Sequence, residues 1–339
     1  MSAKKGRRIV FPAVGEVAIE EFAVPEPGPE EIVVRARHSL ISAGTELTNL
    51  TNALGIATYP LYPGYSHVGV VEAAGAQAGD DFAPGTAVLS LGAHTSHLLL
   101  DLSPSREGGA EFALALETGT DLQAATFAVL GSVVMHAIRK AEPQIGRSAA
   151  VFGQGVVGQL MVQLLRAAGC RPVIAVDLDE SRLAKATESG AEHAVDARRE
   201  NVVEKLLELT GGEGVDLLFD ATRTPETLPA MLKAAAHAGR ILVTGSVPGK
   251  VEIDLFHELQ LREISIIGVF QPAAPTVAHP YNPWTQRRNR VEFLKLLADG
   301  TVRVDNLISA APAWSEAPEV YEMIRKGPGE WLGIVFDWG

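Results

Sequence analysis

The chain has 339 residues, 47% of them hydrophobic and 21% charged, which is long enough for about two domains and too apolar for a disordered polymer. A net charge of −12 is the wrong sign for a nucleic-acid surface, and no apolar run is long enough to span a bilayer. The single cysteine, Cys170, excludes an intrachain disulfide and a cysteine-rich zinc site; with no apolar signal segment behind its basic first residues, a cytoplasmic protein is expected.

Residues 9–120 read mostly as β structure, with short runs at 9–11 and 17–22, a Pro/Gly/Glu-rich turn at 25–30 and a strand at 31–38. Residues 40–46 read as a loop that opens a short helix. A Pro- and Tyr-rich stretch then leads to Tyr62-Pro63-Gly64-Tyr65-Ser66-His67, with further turn-and-strand signals at 84–89 and 92–98. Many short strands between glycine turns predict a barrel-like β domain. His94 and His97 stand three apart with no third ligand in reach by sequence, so no metal site is expected there.

The most informative stretch is 149–177. A buried parallel strand at 149–152 runs into Gly153-Gln154-Gly155-Val156-Val157-Gly158, then a helix apolar on more than one side, then a strand at 173–176 that ends in Asp177. In this context the first glycine permits the tight turn, the second lets the backbone approach a pyrophosphate, and the third lets helix and strand pack closely. Asp177 follows at close to the roughly 20-residue spacing of a carboxylate that binds a ribose diol, and it would repel a ribose phosphate. NAD(H) is therefore expected in preference to NADP(H), with Arg182 as the residue that would admit NADP(H) by turning toward a phosphate. Cofactor contacts are expected from Gly153 through Gly158, including Gln154, Gly155, Val156 and Val157, and from Asp177, Leu178 and Arg182. Ala221, Thr222 and Gly245, at the carboxyl ends of later strands, complete the set.

Strands at 192–196, 215–222, 239–245 and 264–269, with helices at 202–210 and 230–237, extend this pattern to a six-stranded sheet. From Gln271 the composition shifts to QPAAPTVAHPYNPWTQRRNR, followed by a helix at 290–297 and β structure at 302–309 and 332–338. Tyr281 and Trp284 in this segment are candidate substrate contacts or domain packing. Arg287, Arg288 and Arg290 either receive an anionic group or are solvated at the start of a surface helix.

Gly64-x4-Gly69, Pro84-Gly85-Thr86-Ala87-Val88, Gly146 and the glycine turn recur in an order that resembles the medium-chain dehydrogenases/reductases, over nearly the whole chain. The resemblance implies an α/β protein in which a GroES-like β-rich catalytic domain (1–128 and 271–339) brackets a Rossmann domain with a doubly wound parallel sheet (129–270). It also implies a homodimer paired through the strand at 264–269. Zinc-dependent members carry Cys-Gly-Thr-Asp where this chain has Ala43-Gly44-Thr45-Glu46, and Gly-His-Glu where it has Gly64-Tyr65-Ser66. The third metal position falls near Ala128-Val129, and the four-cysteine lobe is missing. A zinc-free enzyme is expected, similar to the branch containing bacteriochlorophyllide dehydrogenase and zinc-less sugar or cyclitol oxidoreductases.

By the same resemblance Thr45 sits at the family's hydroxyl relay position and Tyr65 replaces a metal-binding His. The expected catalytic set is Tyr65 as donor to the substrate oxygen, Thr45 as relay and His67 as proton carrier, with Glu46 at the substrate or orienting the loop. Against these stand structural readings: a packed Tyr65 ring, a helix-capping Thr45 and a buried His67. The expected activity is hydride transfer between a nicotinamide and a secondary alcohol or ketone on a polar or ring-bearing small molecule. Reduction of a conjugated enone or quinone is the alternative, and a nucleotide-binding scaffold without activity is a third reading.

Overall fold

A computed structural model describes residues 4–103, 113–327, 329 and 331–339. The chain divides into two compact units, Met1–Leu130 with Pro275–Ala298 and Ile308–Gly339, and Gly131–Ala274 with Asp299–Leu307.

The first unit begins with an antiparallel ribbon of β1 (Lys5–Val10) and β2 (Ala18–Ala23). The long strand β3 (Glu31–Leu40) follows and delivers the chain into α1 (Ala43–Leu50), after which come β4 (His67–Ala74), β5 (Ala87–Ser90), β6 (His97–Asp101) and β7 (Ala113–Ala115). β3 pairs with β4 along most of its length and changes partner on its other edge: residues 31–35 pair with β6 and residues 38–40 with the C-terminal strand. Ile32, Val34, Val71, Val88 and Leu100 close one apolar cluster inside this sheet. Two helices, α2 (Leu122–Ala125) and α3 (Ala128–Ala141), then carry the chain out of the β region.

The second unit is a six-stranded, wholly parallel sheet formed by β8 (Ala149–Phe152), β9 (Val173–Asp177), β10 (His193–Asp196), β11 (Val215–Asp220), β12 (Ala235–Val243) and β13 (Ser265–Gly268), in the order β10-β9-β8-β11-β12-β13. Four helices alternate with the strands: α4 (Val156–Ala167), α5 (Glu180–Glu188), α6 (Val202–Leu209) and α7 (Thr227–Ala234). Every residue of α4 from Gly158 to Leu165 is buried, as expected for a helix apolar on more than one side. The order reverses beside β8, which is the switch point where such sheets place ligands.

The chain returns to the first unit with α8 (Gln286–Ala298), β14 (Ile308–Ala310), α9 (Ala317–Arg325) and β15 (Gly333–Asp337). Ala317, Val320, Tyr321 and Ile324 of α9 pack with Ile9, Phe11, Leu50, Ile334 and Phe336 in a second apolar cluster.

Several local expectations are corrected. The helix read at 230–237 ends at Ala234, because the chain turns extended at Ala235 and enters β12. The strand read at 302–309 is confined to Ile308–Ala310; residues 302–307 instead fold onto the second unit, where the Gln163 carboxamide donates to Arg303 O (2.9 Å) and accepts from Arg303 N (2.7 Å). α8 starts four residues earlier than expected, and Arg290 on it is buried rather than solvated. Among the described residues no helix is long and apolar enough to cross a membrane.

Candidate dinucleotide site and hydroxyl cluster

In the second unit, the glycine turn joins β8 to α4 as the motif requires. Gly153 has φ +88°, a conformation open mainly to glycine, and a Cβ on Gly158 would stand 1.9 Å from Gly153 O. A Cβ on Gly155 would meet nothing within 4 Å, so the space over the second glycine is open at the amino end of α4, whose first amides receive no side-chain cap. That is the arrangement a pyrophosphate needs: free N–H groups and room for close approach.

Asp177 closes the other side of the turn. Its Oδ2 accepts the Gln154 amide at 2.5 Å, while Oδ1 accepts the Leu178 and Asp179 amides at 2.7 and 2.9 Å. Leu178 beyond it is exposed. Arg182 lies on α5, where its carbonyl accepts the Gln159 carboxamide at 2.9 Å, so α4 and α5 are tied beside the turn. Gln159 is a site-supporting residue that the sequence reading missed, since a glutamine inside an apolar helix gives no sign of its partner. Gly153 also abuts Ala221, and a Cβ on Gly245 would stand 1.9 Å from Thr222 O, so the three later residues gather around the same strand ends. Thr222 is held there by Asp220, which accepts its amide at 2.9 Å and its hydroxyl at 2.6 Å.

In the first unit, α1 and the loop before β4 bring three hydroxyls together. Tyr65 donates to Ser42 Oγ, and Thr45 Oγ1 lies 3.5 Å from both the Tyr65 hydroxyl and Ser42 Oγ. Burial pushes the Tyr65 phenol pKa up, the two hydroxyl contacts pull it down, and the nearby Glu46 charge pushes it up again, leaving it raised. Tyr65 is thus held as a protonated donor. Thr45 sits inside α1 rather than capping it; the N-cap is Ser42, whose side chain makes no capping bond because it faces the other two hydroxyls.

Two expected site residues are placed differently. His67 is wholly buried, with Nδ1 3.1 Å from Ser90 Oγ and Nε2 3.2 Å from Thr95 O, and burial pulls its pKa from 6.5 down to about 4. The regular alternation that would have aligned it with Tyr65 begins only at His67, where β4 starts, so the proton-carrier role is replaced by a structural one. Glu46 is likewise enclosed, 0% exposed, and does not present itself to a substrate. Its Oε1 accepts the Ser42 amide at 2.7 Å; its Oε2 receives the Tyr321 hydroxyl and lies 3.1 Å from His94 Nε2. Behind it His94 Nδ1 lies 2.8 Å from Ser39 Oγ, which accepts the Trp338 indole N–H at 2.9 Å. Tyr281 is 94% exposed, and Trp284 is covered by the Arg288 guanidinium at 4.0 Å.

A wholly parallel sheet with an open glycine turn, joined in one chain to an antiparallel β unit bearing a hydroxyl cluster, defines a two-unit α/β class with a doubly wound sheet. The sequence profile described as zinc-binding dehydrogenase matches residues 156–284. The chain is 28% identical to L-threonine 3-dehydrogenase of Pyrococcus furiosus over 55% of its own length and 51% of the relative, so it spans about half the length of that curated relative. It is 24% identical to sorbitol dehydrogenase of Rattus norvegicus over 95% of its length and 93% of the relative. The fold matches a Sinorhizobium meliloti protein assigned as a zinc-binding dehydrogenase and bound to NADP, with TM-score 0.83, 24% identity and coverage of 98% and 99% of the two chains. Over residues 156–284 the chain resembles the zinc-binding dehydrogenases, and its fold is that of the matched dehydrogenase structure.

The profile's description implies a zinc, for which the first unit offers few donors. Ala43 and Gly44 offer no side-chain ligand, and Ser42, Thr45 and Tyr65 offer neutral hydroxyls in place of thiolate, imidazole or carboxylate. The Glu46 oxygens already serve three donors, and both His67 nitrogens have partners. This donor set does not fit a catalytic zinc. Among the described residues no group of three or more His, Cys, Asp or Glu is placed to hold a metal ion.

Proposed function

We propose that the protein is a zinc-independent, NAD(H)-dependent oxidoreductase that interconverts a secondary alcohol and a ketone on a polar or ring-bearing small molecule. The observation that carries the reading is the glycine turn, open over Gly155 and closed by the Asp177 carboxylate. Gly153 through Gly158 would receive the pyrophosphate and Asp177 the ribose diol, with Leu178, Arg182, Ala221, Thr222 and Gly245 around them. A bound nicotinamide supplies the hydride chemistry. Tyr65 donates a hydrogen bond to the carbonyl oxygen and hands it a proton during reduction, and the Ser42 and Thr45 hydroxyls relay a solvent proton back to the tyrosinate, each taking up one proton as it gives one up; oxidation runs the same path backward and releases the proton to solvent. Relatives named for threonine and sorbitol, both alcohols, support the substrate class.

The similar Sinorhizobium protein is bound to NADP, so cofactor choice is tested directly. Asp177→Ser is expected to weaken NADH binding relative to NADPH in a fluorescence titration, and an unchanged preference would remove Asp177 from that role. The neutral hydroxyls, without a Lewis acid, also support a second reading, reduction of a conjugated enone or quinone, in which the substrate is already activated. NADH deuterated at the transferable position, incubated with a pool of cyclic ketones and conjugated enones, separates the two. Label on a carbinol carbon supports the first reading, and label at the β-carbon of a former enone the second.

We also infer a cytoplasmic homodimer that pairs through β13. Support comes from its position at the end of the sheet and from the exposed Ser265 and Ile266 on it.

A further inference from the structure

We infer that Glu46 is the positioning residue of the hydroxyl cluster: its buried carboxylate fixes Ser42, and Ser42 sets where the Tyr65 and Thr45 hydroxyls stand. This rests on the reading of Tyr65 and Thr45 as the proton-handling pair.

A serine at a helix N-cap ordinarily turns its hydroxyl back onto the amides of the first turn. Ser42 does not; its hydroxyl accepts from Tyr65 and lies 3.5 Å from Thr45. Glu46, four residues on, reaches back instead and accepts the Ser42 amide at 2.7 Å. The loop is thereby pinned by a side chain inside α1, and the Ser42 hydroxyl is released from capping to join the cluster.

A wholly buried carboxylate is costly unless its lone pairs are filled. Here three donors fill them: the Ser42 amide, the Tyr321 hydroxyl from α9, and the His94 imidazole from the loop before β6. His94 is oriented in turn by Ser39 on β3, and Ser39 by Trp338 beyond β15. The carboxylate thus ties four separated stretches of the unit to one main-chain amide, that of the residue that holds Tyr65. The link is not a proton path, because Glu46 meets the cluster through a main-chain N–H rather than a hydroxyl. Its effect is geometric.

The test uses the full-length protein labelled with 13C in its tyrosine rings, which number five, with the Tyr65 signal identified by its loss in Tyr65→Phe. Glu46→Asp keeps the charge but is one methylene too short to reach Ser42 and the Tyr321–His94 pair together. Glu46→Gln keeps the shape but offers one acceptor oxygen to three donors. The Tyr65 resonance is expected to move in both. Deuteride transfer from labelled NADH to the ketone and enone pool is expected to fall roughly tenfold or more in kcat, with KM for NADH unchanged. If Tyr65 stays unmoved in each variant that folds, with the change confined to Tyr321, the inference is overturned and Glu46 is a core carboxylate only. Failure of the underlying reading has a separate sign: unchanged label transfer in Tyr65→Phe, whatever the Glu46 spectra show.

Discussion

Tyr65 and His67 stand two residues apart and have been given opposite tasks by their surroundings. Tyr65→Phe removes a single hydroxyl that faces Ser42 and Thr45. Turnover should fall by about a hundredfold, the worth of one well-placed donor, while the NADH dissociation constant measured by fluorescence stays as it was. His67 is a buried neutral imidazole with a pKa near 4 against an ordinary 6.5. Between those values the unfolded chain binds a proton that the folded one refuses, so this contribution is complete above about pH 6.5 and is lost as pH falls toward 4. The wild-type Tm is expected to drop across that window, and the His67→Gln profile to be flatter there. Tyr65 and Thr45 were legible because each sits in a short motif. The partners of Glu46 were not: Tyr321 is 275 residues away, and no local pattern announces a contact of that span.

At the scale of the element, the glycine turn separates folding from binding within six residues. Gly155→Ala adds a methyl group to open space at a φ of −70°, so the thermal transition should hold while NADH affinity falls. Gly158→Ala drives a methyl group into Gly153 O and should lower stability by about 1–3 kcal/mol, read by denaturant unfolding, and NADH binding with it. Equal loss of affinity without any difference in stability would contradict this division. β8 and β9 were legible because parallel strands buried on both faces are written as unbroken apolar runs, and β11 because its Leu217-Leu218-Phe219 centre keeps that pattern despite Asp216. α9 was not: Pro318 in its first turn and a polar outward face hide an apolar set limited to Ala317, Val320, Tyr321 and Ile324. Nor was the end of α7, where one apolar run serves first as helix and then, from Ala235, as strand.

For the whole molecule, the strongly acidic balance and the terminal position of β13 bear on association. Light scattering on a sizing column is expected to give twice the 36.0 kDa chain mass, and Ile266→Lys, which puts a charge on that edge, to return the protein to one chain. The loop at 302–307 carries a different consequence, for how such a protein is inherited. The Gln163 carboxamide, almost fully buried, finds both its partners on Arg303, and Lys185 donates to Asn306 O at 3.0 Å. A gene segment encoding only Gly131–Ala274 would leave that carboxamide without partners, an unfavourable change of about 1–3 kcal/mol. Recombination that shuffles the nucleotide unit as one contiguous cassette would therefore need a compensating change at Gln163, whereas exchange that carries the distant loop along would not.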